Sequence, residues 1–303
     1  MRNTFAVELL KAAKANPRIV LITGDLGFGV FDEFRSELPL QFINSGVAEQ
    51  SMMGMAAGLA SQGYRPFVYS IANFPTFRCL EQIRNDVAYM KNPVTIISVG
   101  AGMGYGAHGY SHHAIEDIAI MRVFKDVDIY SPSDPQETIF CLDKILKSSA
   151  PAYLRLGKGG EVNLKESFGF QHQNQELNAK DIKGFVFWTG GIGAEVLKAK
   201  QELEKEGMNF SAHSFPEISR DAISKAISAA GKLPVLTVEE HVFEGGFGSA
   251  VLEVASDLGH LGFITRLAID SDNKHRLGSQ TYLRQLNEID SNSIAKKLKS
   301  LTE

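Results

Sequence analysis

Glu49 is the residue of this sequence whose position most suggests chemistry. It lies in the stretch Gly46 to Gln50, between an apolar, strand-like run and a helix-like run of small and apolar residues. A charge between two segments that enter a core is costly unless it is paired, solvated or used. At a helix start the carboxylate also faces the positive end of the helix dipole, which favours its ionised form. Glu49 is therefore either a candidate acid–base group or a solvated residue of a first helical turn, and its context alone leaves both interpretations open.

A second group of reactive side chains lies in a glycine-rich stretch at 100–113. This stretch contains five glycines and three histidines, which are His108, His112 and His113. Glycines let a backbone approach a ligand closely, and histidines donate, accept and carry protons near neutral pH. The three histidines also suggest a metal site, but no carboxylate or cysteine completes a ligand set there. We therefore predict hydrogen bonding and proton transfer at this loop, and no metal ligand in this chain.

The elements that must position these residues alternate along the chain between strand-like and helix-like patterns. Continuous apolar runs closed by glycine or polar residues are typical of strands buried on both faces. Strands are expected at 18–23, 41–44, 66–70, 93–99, 126–130, 152–155, 185–189, 234–238 and 263–269. The alternation predicts an α/β protein with two three-layer α/β/α domains and mostly parallel sheets. A polar stretch separates the two groups of strands, so we predict domains at 1–160 and 183–303 joined by a linker at 161–182.

Ligands of open α/β sheets bind beyond the carboxyl ends of the strands. Three such ends are unusual in this sequence, namely 24–26, 44–50 and the glycine-rich stretch at 100–113. The sequence lacks the phosphate loop of nucleoside triphosphatases. It also lacks a dinucleotide-binding fingerprint in a first strand–helix turn. We therefore expect a site built from these three strand ends without either nucleotide motif.

Composition excludes several classes of protein. The 303 residues are 44% hydrophobic and 22% charged, which suits two globular domains with proper cores. The net charge is −4 and there is no long basic run, so nucleic acid is not an expected partner. Two cysteines make no disulfide framework, which fits a reducing cytoplasm. We see neither a signal peptide nor an apolar run long enough to span a bilayer, and we expect a cytoplasmic protein without a membrane partner.

Taken in order, these segments resemble the second half of transketolase and of 1-deoxyxylulose-5-phosphate synthase, which are thiamine-diphosphate enzymes. The similar segments are 46–50, 106–112, 131–134, 237–240 and 245–248. The resemblance covers essentially the whole chain, as a pyrimidine-binding domain followed by the family's carboxy-terminal domain. The Gly-Asp-Gly metal motif of the family's diphosphate-binding domain does not occur in this sequence. The resemblance therefore implies one subunit of a split transketolase, whose amino-terminal partner subunit holds the diphosphate and ligates Mg²⁺ or Ca²⁺.

The resemblance implies which residues of this chain contact the cofactor. Glu49 takes the place of the glutamate that activates thiamine diphosphate, because a carboxylic acid at N1′ favours the imino tautomer that accepts the thiazolium C2 proton. Phe74 and Phe77 fall at the spacing of the aromatic residues that flank the aminopyrimidine, and of the two we favour Phe77. Their alternative role is ordinary core packing. Asp25 and Leu26 match a pair near the thiazolium and diphosphate, although Asp25 is equally suited to capping a helix.

The resemblance also implies residues that bind the substrate. His112 matches a histidine that contacts the oxygens of the donor and helps to move protons. His108 stands where the family has an aspartate that binds a sugar hydroxyl, so as a substrate-binding candidate it is expected to contact a different acceptor or an anionic substituent, the alternative being a partner chain. Arg155 and Arg2 match arginines that bind substrate phosphate through paired guanidinium contacts, their alternative being surface arginines.

The expected function is transfer of a two-carbon ketol unit from a ketose, which we expect to be phosphorylated, to an aldehyde. The expected assembly is an α2β2 heterotetramer in which this chain also associates with itself. One alternative is the β subunit of a 2-oxo acid dehydrogenase, against which the Ser–His loop and Arg155 argue. Another is a non-catalytic assembly or regulatory subunit, against which Glu49 and His112 argue.

Overall fold

The computed structural model describes residues 1–171, 181–260 and 262–302. The strands of the described residues are β1 Ile19–Thr23, β2 Phe42–Asn44, β3 Arg65–Ile71, β4 Thr95–Val99, β5 Asp128–Tyr130, β6 Ala152–Leu156, β7 Ile182–Trp188, β8 Asn209–Ser214, β9 Val235–Val242 and β10 Ile264–Ile269. The helices are α1 Arg2–Ala15, α2 Asp32–Glu37, α3 Glu49–Ser61, α4 Leu80–Gln82, α5 Asp117–Arg122, α6 Pro135–Lys147, α7 Leu164–Phe168, α8 Gly193–Lys205, α9 Arg220–Ala230, α10 Phe247–Asp257, α11 Gln280–Leu286 and α12 Ser291–Ser300. The chain after α4 is π-helical over Ile83–Tyr89.

The first sheet has six parallel strands in the order β2-β1-β3-β4-β6-β5. Alternate residues of β1 enter different cores, because successive side chains of a strand point to opposite faces. Ile19 and Leu21 pack in the core that contains α1 and α6, whereas Val20 and Ile22 pack in the core that contains α3. The strand is thus buried on both faces, as its continuous apolar sequence predicts.

The second sheet has four parallel strands in the order β10-β9-β7-β8. Its core lies on both faces, with Trp188 on one side and Phe187 on the other. Every strand expected from the sequence is present, and the α/β class with parallel sheets is confirmed. The sequence analysis missed β8, whose polar Ser211 and His213 obscure a strand pattern. Both side chains are buried, and the hydrogen bond between Ser211 Oγ and His213 Nε2 at 2.7 Å compensates for the lost contact with water.

The segment between the two sheets contributes to the second core. Leu164 in α7 is buried, and Phe170 packs against Trp188 with ring centroids 5.2 Å apart. Residues 172–180 of the predicted linker lie outside the described residues. We keep the division into two domains as a proposal, with Leu164 and Phe170 packed on the side of the second.

The carboxyl end of β9 lies where the two sheets meet and has partners on both sides. Glu239 accepts hydrogen bonds from the first amides of α10, and Glu240 forms an ion pair with Arg284. His241 Nε2 accepts a hydrogen bond from the Ala119 amide at 3.2 Å. The two sheets meet closely at Gly102, where a Cβ atom would lie 2.5 Å from the Cβ of Glu240. This contact positions the glycine-rich stretch at 100–113.

Among the described residues, every helix is too short or too polar to cross a lipid bilayer.

Candidate active site

The turn from β2 into α3 places Glu49 at a helix start beside the end of β1. Asn44 connects the ends of β1 and β2, because its Oδ1 accepts hydrogen bonds from the backbone amides of Asp25 and Gly46, each at 3.0 Å. Its Nδ2 also donates to Asp25 Oδ1 at 2.9 Å. Asp25 itself has a positive φ of 58° and is exposed. Its carboxylate therefore pairs with Asn44 and caps no helix, since α2 begins only at Asp32.

Glu49 is buried, with 3% of its surface exposed. Its Oε2 accepts a hydrogen bond from Arg78 Nη1 at 2.7 Å, and the Arg78 side chain is 47% exposed. Arg78 also lies on the ring of Phe74, with its Cζ 4.6 Å from the ring centroid. One planar cation thus contacts both a buried carboxylate and an aromatic face.

The Phe74 turn also contacts the histidine loop. The ring of His112 lies 5.4 Å from that of Phe74 and 5.1 Å from that of His108. Asn73 Nδ2 donates to the carbonyls of His113 at 2.7 Å and Ser111 at 3.2 Å. Asn73 therefore holds the backbone of the loop so that His112 faces Phe74.

The structure brings Phe74 and His112 together but gives Phe77 a different environment. The Phe77 ring is 39% exposed on the 3-10 turn Phe77–Cys79. Leu26 is partly buried and packs against the core around α1. The predicted cofactor contacts of Asp25, Leu26 and Phe77 stay predictions, whereas the Arg78 and His112 contacts favour Phe74 as the aromatic face of this site.

The electrostatics of the loop favour the uncharged forms of His112 and His113. Burial and the neighbouring His108 lower the pKa of His112 below its ordinary value. Burial also lowers the pKa of His113, which is 0% exposed. His112 is thus neutral at neutral pH and suited to accept a hydrogen bond or a proton. Within the described part of the chain, no three or more His, Cys, Asp or Glu side chains are grouped to hold a metal ion.

We expect His108→Gln to raise the pKa of His112, because the charge that opposes protonation of His112 is removed. Titration of the imidazole signals by NMR measures this directly. The acid limb of kcat/KM should move to higher pH in parallel, since His112 then charges at higher pH. His275→Gln, at an exposed histidine, is the control and should leave the His112 titration unchanged. A His112 pKa that does not rise in His108→Gln would contradict this coupling.

Beside the histidine loop lies a cavity of about 560 Å³ with two cationic side chains. Arg2 and Lys158 both line it, together with His108 and Tyr105. The Lys158 Nζ atom lies 5.1 Å from the Tyr105 ring centroid. The Nε atom of Arg2 is buried and has no hydrogen-bond partner among the described residues. An unpaired donor and an exposed ammonium at one cavity suit an anionic ligand.

Arg155 does not line this cavity, which corrects its predicted role in phosphate binding. It is 1% exposed, and its Nε donates to Asp117 Oδ2 at 2.7 Å. Its Nη2 donates to the carbonyls of Ala114 at 2.6 Å and Glu240 at 2.8 Å. Buried cations need such partners, and these donors are already used inside the protein. Arg155 therefore joins the two sheets and is not available to a substrate.

Sequence analysis missed three residues of this site: Lys158, Arg78 and Asn73. Lys158 stands in a glycine-rich segment directly after β6, so the rule on strand ends already pointed to it. No local signal marks Arg78 or Asn73, since their importance comes from partners distant in sequence.

The site fits one end of thiamine diphosphate. Glu49 and Phe74 offer a buried carboxylate and a ring face, which suit the N1′ edge and the plane of an aminopyrimidine. The guanidinium of Arg78, a planar cation, already lies in contact with both.

Comparisons with known proteins agree with this geometry. The family profile described as "Transketolase, pyrimidine binding domain" matches residues 1–160. The chain is 33% identical over 264 residues to an apulose-4-phosphate transketolase subunit of Phocaeicola vulgatus, covering 84% of this chain and 83% of that protein. It is 33% identical over 304 residues to "Putative transketolase C-terminal section" of Methanocaldococcus jannaschii, covering 98% and 95%.

Longer relatives and a solved structure extend the comparison. The chain is 30% identical to 1-deoxy-D-xylulose-5-phosphate synthase of Clostridium perfringens, covering 98% of this chain but 48% of that protein, so it spans about half of it. The solved structure "Split gene transketolase, inactive beta4 tetramer" has a TM-score of 0.82 at 28% identity, covering 99% of this chain and 97% of that chain.

Proposed function

Because this chain belongs to the transketolase family, we propose that it is the carboxy-terminal subunit of a split transketolase that uses thiamine diphosphate. The reaction is transfer of a two-carbon ketol unit from a ketose to an aldehyde. The observation that carries the proposal is the buried Glu49 at the start of α3, which Arg78 connects to the Phe74 ring that also contacts His112. These groups lie at the carboxyl ends of parallel strands, where α/β proteins bind ligands.

In this proposal the residues around Glu49 bind the aminopyrimidine end of the cofactor. Glu49 shares a proton with the N1′ atom, and its burial strengthens that hydrogen bond. Phe74 packs against the ring, which fixes its plane relative to the carboxylate. When bound, thiamine diphosphate supplies the carbon nucleophile that carries the two-carbon unit.

His112 binds and orients the substrate in this proposal. A neutral imidazole accepts a hydrogen bond from a substrate hydroxyl and moves its proton. The Asn73 clamp and the Phe74 ring restrict the position of His112, so it needs little reorganisation when substrate binds.

Arg2 and Lys158 bind the phosphate of the sugar, with His108 beside them at the same cavity. We expect Lys158→Ala to raise KM for phosphorylated sugars about 10- to 100-fold, the value of a charge-assisted hydrogen bond. KM for the matching unphosphorylated sugars should change little. Steady-state kinetics with both kinds of sugar measure the difference. Lys183→Ala, an exposed lysine on β7, is the control. Equal changes in KM for both kinds of sugar would remove Lys158 from the phosphate site.

The complete enzyme in this proposal contains a second kind of chain. We place the diphosphate site, with Mg²⁺ or Ca²⁺, on an amino-terminal partner subunit, and we propose an α2β2 assembly in the cytoplasm. Two observations support this: relatives of similar length are named as a transketolase subunit and as a C-terminal section, and a similar solved chain is described as an inactive β4 tetramer. The same tetramer supports self-association of this chain.

The proposal is tested by mixing this chain with its partner chain, thiamine diphosphate and Mg²⁺. We expect two-carbon transfer from a phosphorylated ketose to an aldehyde in the mixture and none from either chain alone. Product formed from a 2-oxo acid and a lipoyl carrier, but not from a ketose, would favour the dehydrogenase β subunit instead. A complex that assembles but converts neither substrate would favour a non-catalytic subunit.

A further inference from the structure

Arg78 is a charged residue to which the proposed function assigns no role, although it contacts the centre of the site. Its Nη1 donates to Glu49 Oε2 at 2.7 Å, and its Cζ lies 4.6 Å from the Phe74 ring centroid. Both of these partners are residues that the proposed function uses for the aminopyrimidine. The remaining guanidinium donors make no hydrogen bond to any described residue.

The guanidinium group shares three properties with an aminopyrimidine that carries a proton at N1′. It is planar, it is positively charged, and it presents N–H donors in its own plane. It also stacks on aromatic faces. A group with these properties binds a carboxylate with its edge and an aromatic ring with its face. Arg78 makes both of these contacts, so it lies where the pyrimidine would have to bind.

The two members of the ion pair differ in what they lose when it breaks. Glu49 is 3% exposed and needs a partner for its charge, because water does not reach it freely. Arg78 is 47% exposed and lies on the short 3-10 turn Phe77–Cys79, so its guanidinium can move into solvent. The arginine is therefore the member of the pair that can leave.

We propose that Arg78 is a built-in substitute for the aminopyrimidine. It neutralises Glu49 while the chain is without cofactor, and it withdraws from the carboxylate when thiamine diphosphate binds. This inference rests on the proposed function. Arg78 is thus a positioning residue that keeps the buried carboxylate paired, and it lowers the apparent affinity for the cofactor by competing for the same place.

Removing the guanidinium should therefore strengthen cofactor binding. Because the ion pair is partly exposed, the state in which Arg78 is paired with Glu49 is favoured only severalfold over the state in which Arg78 has withdrawn. The apparent dissociation constant of the cofactor scales inversely with the fraction of the protein in the withdrawn state. We expect Arg78→Met to lower the dissociation constant for thiamine diphosphate about two- to sixfold. High salt screens the ion pair, so the ratio between wild type and variant should approach one in about 1 M NaCl.

The experiment is calorimetric titration of thiamine diphosphate with Mg²⁺ into the complex of this chain with its partner subunit. The control is Arg84→Met, which removes the same charge from the same segment, at an exposed side chain that donates a hydrogen bond to Asn85. Arg84→Met should bind like the wild type. A thermal unfolding scan of each complex verifies that the variants are folded. Should Arg78→Met fold poorly, Arg78→Lys keeps a charge beside Glu49 without the planar fork, and its dissociation constant should be lower than that of the wild type at low salt.

Two outcomes separate this inference from the proposed function. If the wild-type complex binds no thiamine diphosphate, the proposed function is wrong and this inference is wrong with it. If the wild type binds but neither Arg78 variant binds more tightly at low salt, only the role of Arg78 as a substitute is overturned. A gain in affinity that persists unchanged in about 1 M NaCl also overturns it, because an ion pair is then not the cause.

Discussion

Replacing Glu49 by Gln is expected to reduce turnover of the assembled complex by about 10²- to 10⁴-fold, the usual contribution of a positioned acid–base group. Glutamine keeps the shape of the side chain and a carbonyl oxygen, but it cannot share a carboxylic proton with N1′. The loss should appear in kcat more than in KM, because the interaction acts in the chemical steps. Initial rates of two-carbon transfer with the partner subunit present measure it.

The matched control is Glu81→Gln, which removes the same charge at an exposed position in α4. It should retain wild-type turnover. Thermal unfolding of both variants separates lost chemistry from lost folding. A folded Glu49→Gln complex with normal turnover would disprove the catalytic assignment, whatever its affinity for the cofactor.

Replacing Arg155 by Met is expected to destabilise the chain by about 3–5 kcal/mol, because it leaves the buried Asp117 carboxylate without its cation. Asp117 is 0% exposed, and among the described residues its Oδ2 would keep only the Tyr153 hydroxyl at 2.6 Å. The carbonyls of Ala114 and Glu240 would lose their shared donor as well. Urea unfolding followed by circular dichroism gives the change in the free energy of unfolding.

Two further variants test this interpretation of Arg155. Arg220→Met breaks an exposed ion pair with Asp257 and should cost about 1 kcal/mol or less. Asp117→Asn combined with Arg155→Met should recover part of the lost stability, because the double variant removes both charges of the buried pair and leaves neither unpaired. If Arg155→Met instead left stability unchanged and raised KM only for phosphorylated sugars, the phosphate role implied by the resemblance would be restored.

The sequence was sufficient where local pattern decides the structure. The apolar runs predicted all strands except β8, and the run of small residues after Gly46 predicted that a helix begins near Glu49. The strand that was missed carries Ser211 and His213 inside the core. Their polar groups satisfy each other, and such a pairing is invisible in a hydrophobicity pattern.

Contacts between segments that are distant in sequence could not be predicted from local sequence patterns. The partner of Glu49 is 29 residues away in Arg78, and the clamp on the histidine loop reaches 40 residues from Asn73 to His113. Phe74 and Phe77 are both aromatic and three residues apart, and the sequence analysis favoured Phe77 as the ring contact. The turn geometry selects Phe74 for contact with Arg78 and His112.

The sequence by itself determined the α/β architecture and the three strand ends that meet at the site, because hydrophobic periodicity and the rule for parallel sheets are local properties. Only the tertiary structure decided which cations line the cavity beside the histidine loop. Arg155 and Lys158 are neighbours in sequence, but Asp117 and the Glu240 carbonyl take up the guanidinium of Arg155 inside the protein. Lys158, beyond the end of β6, lines the cavity instead. A buried charge goes where partners can compensate its lost hydration, and those partners come from segments that only folding brings together.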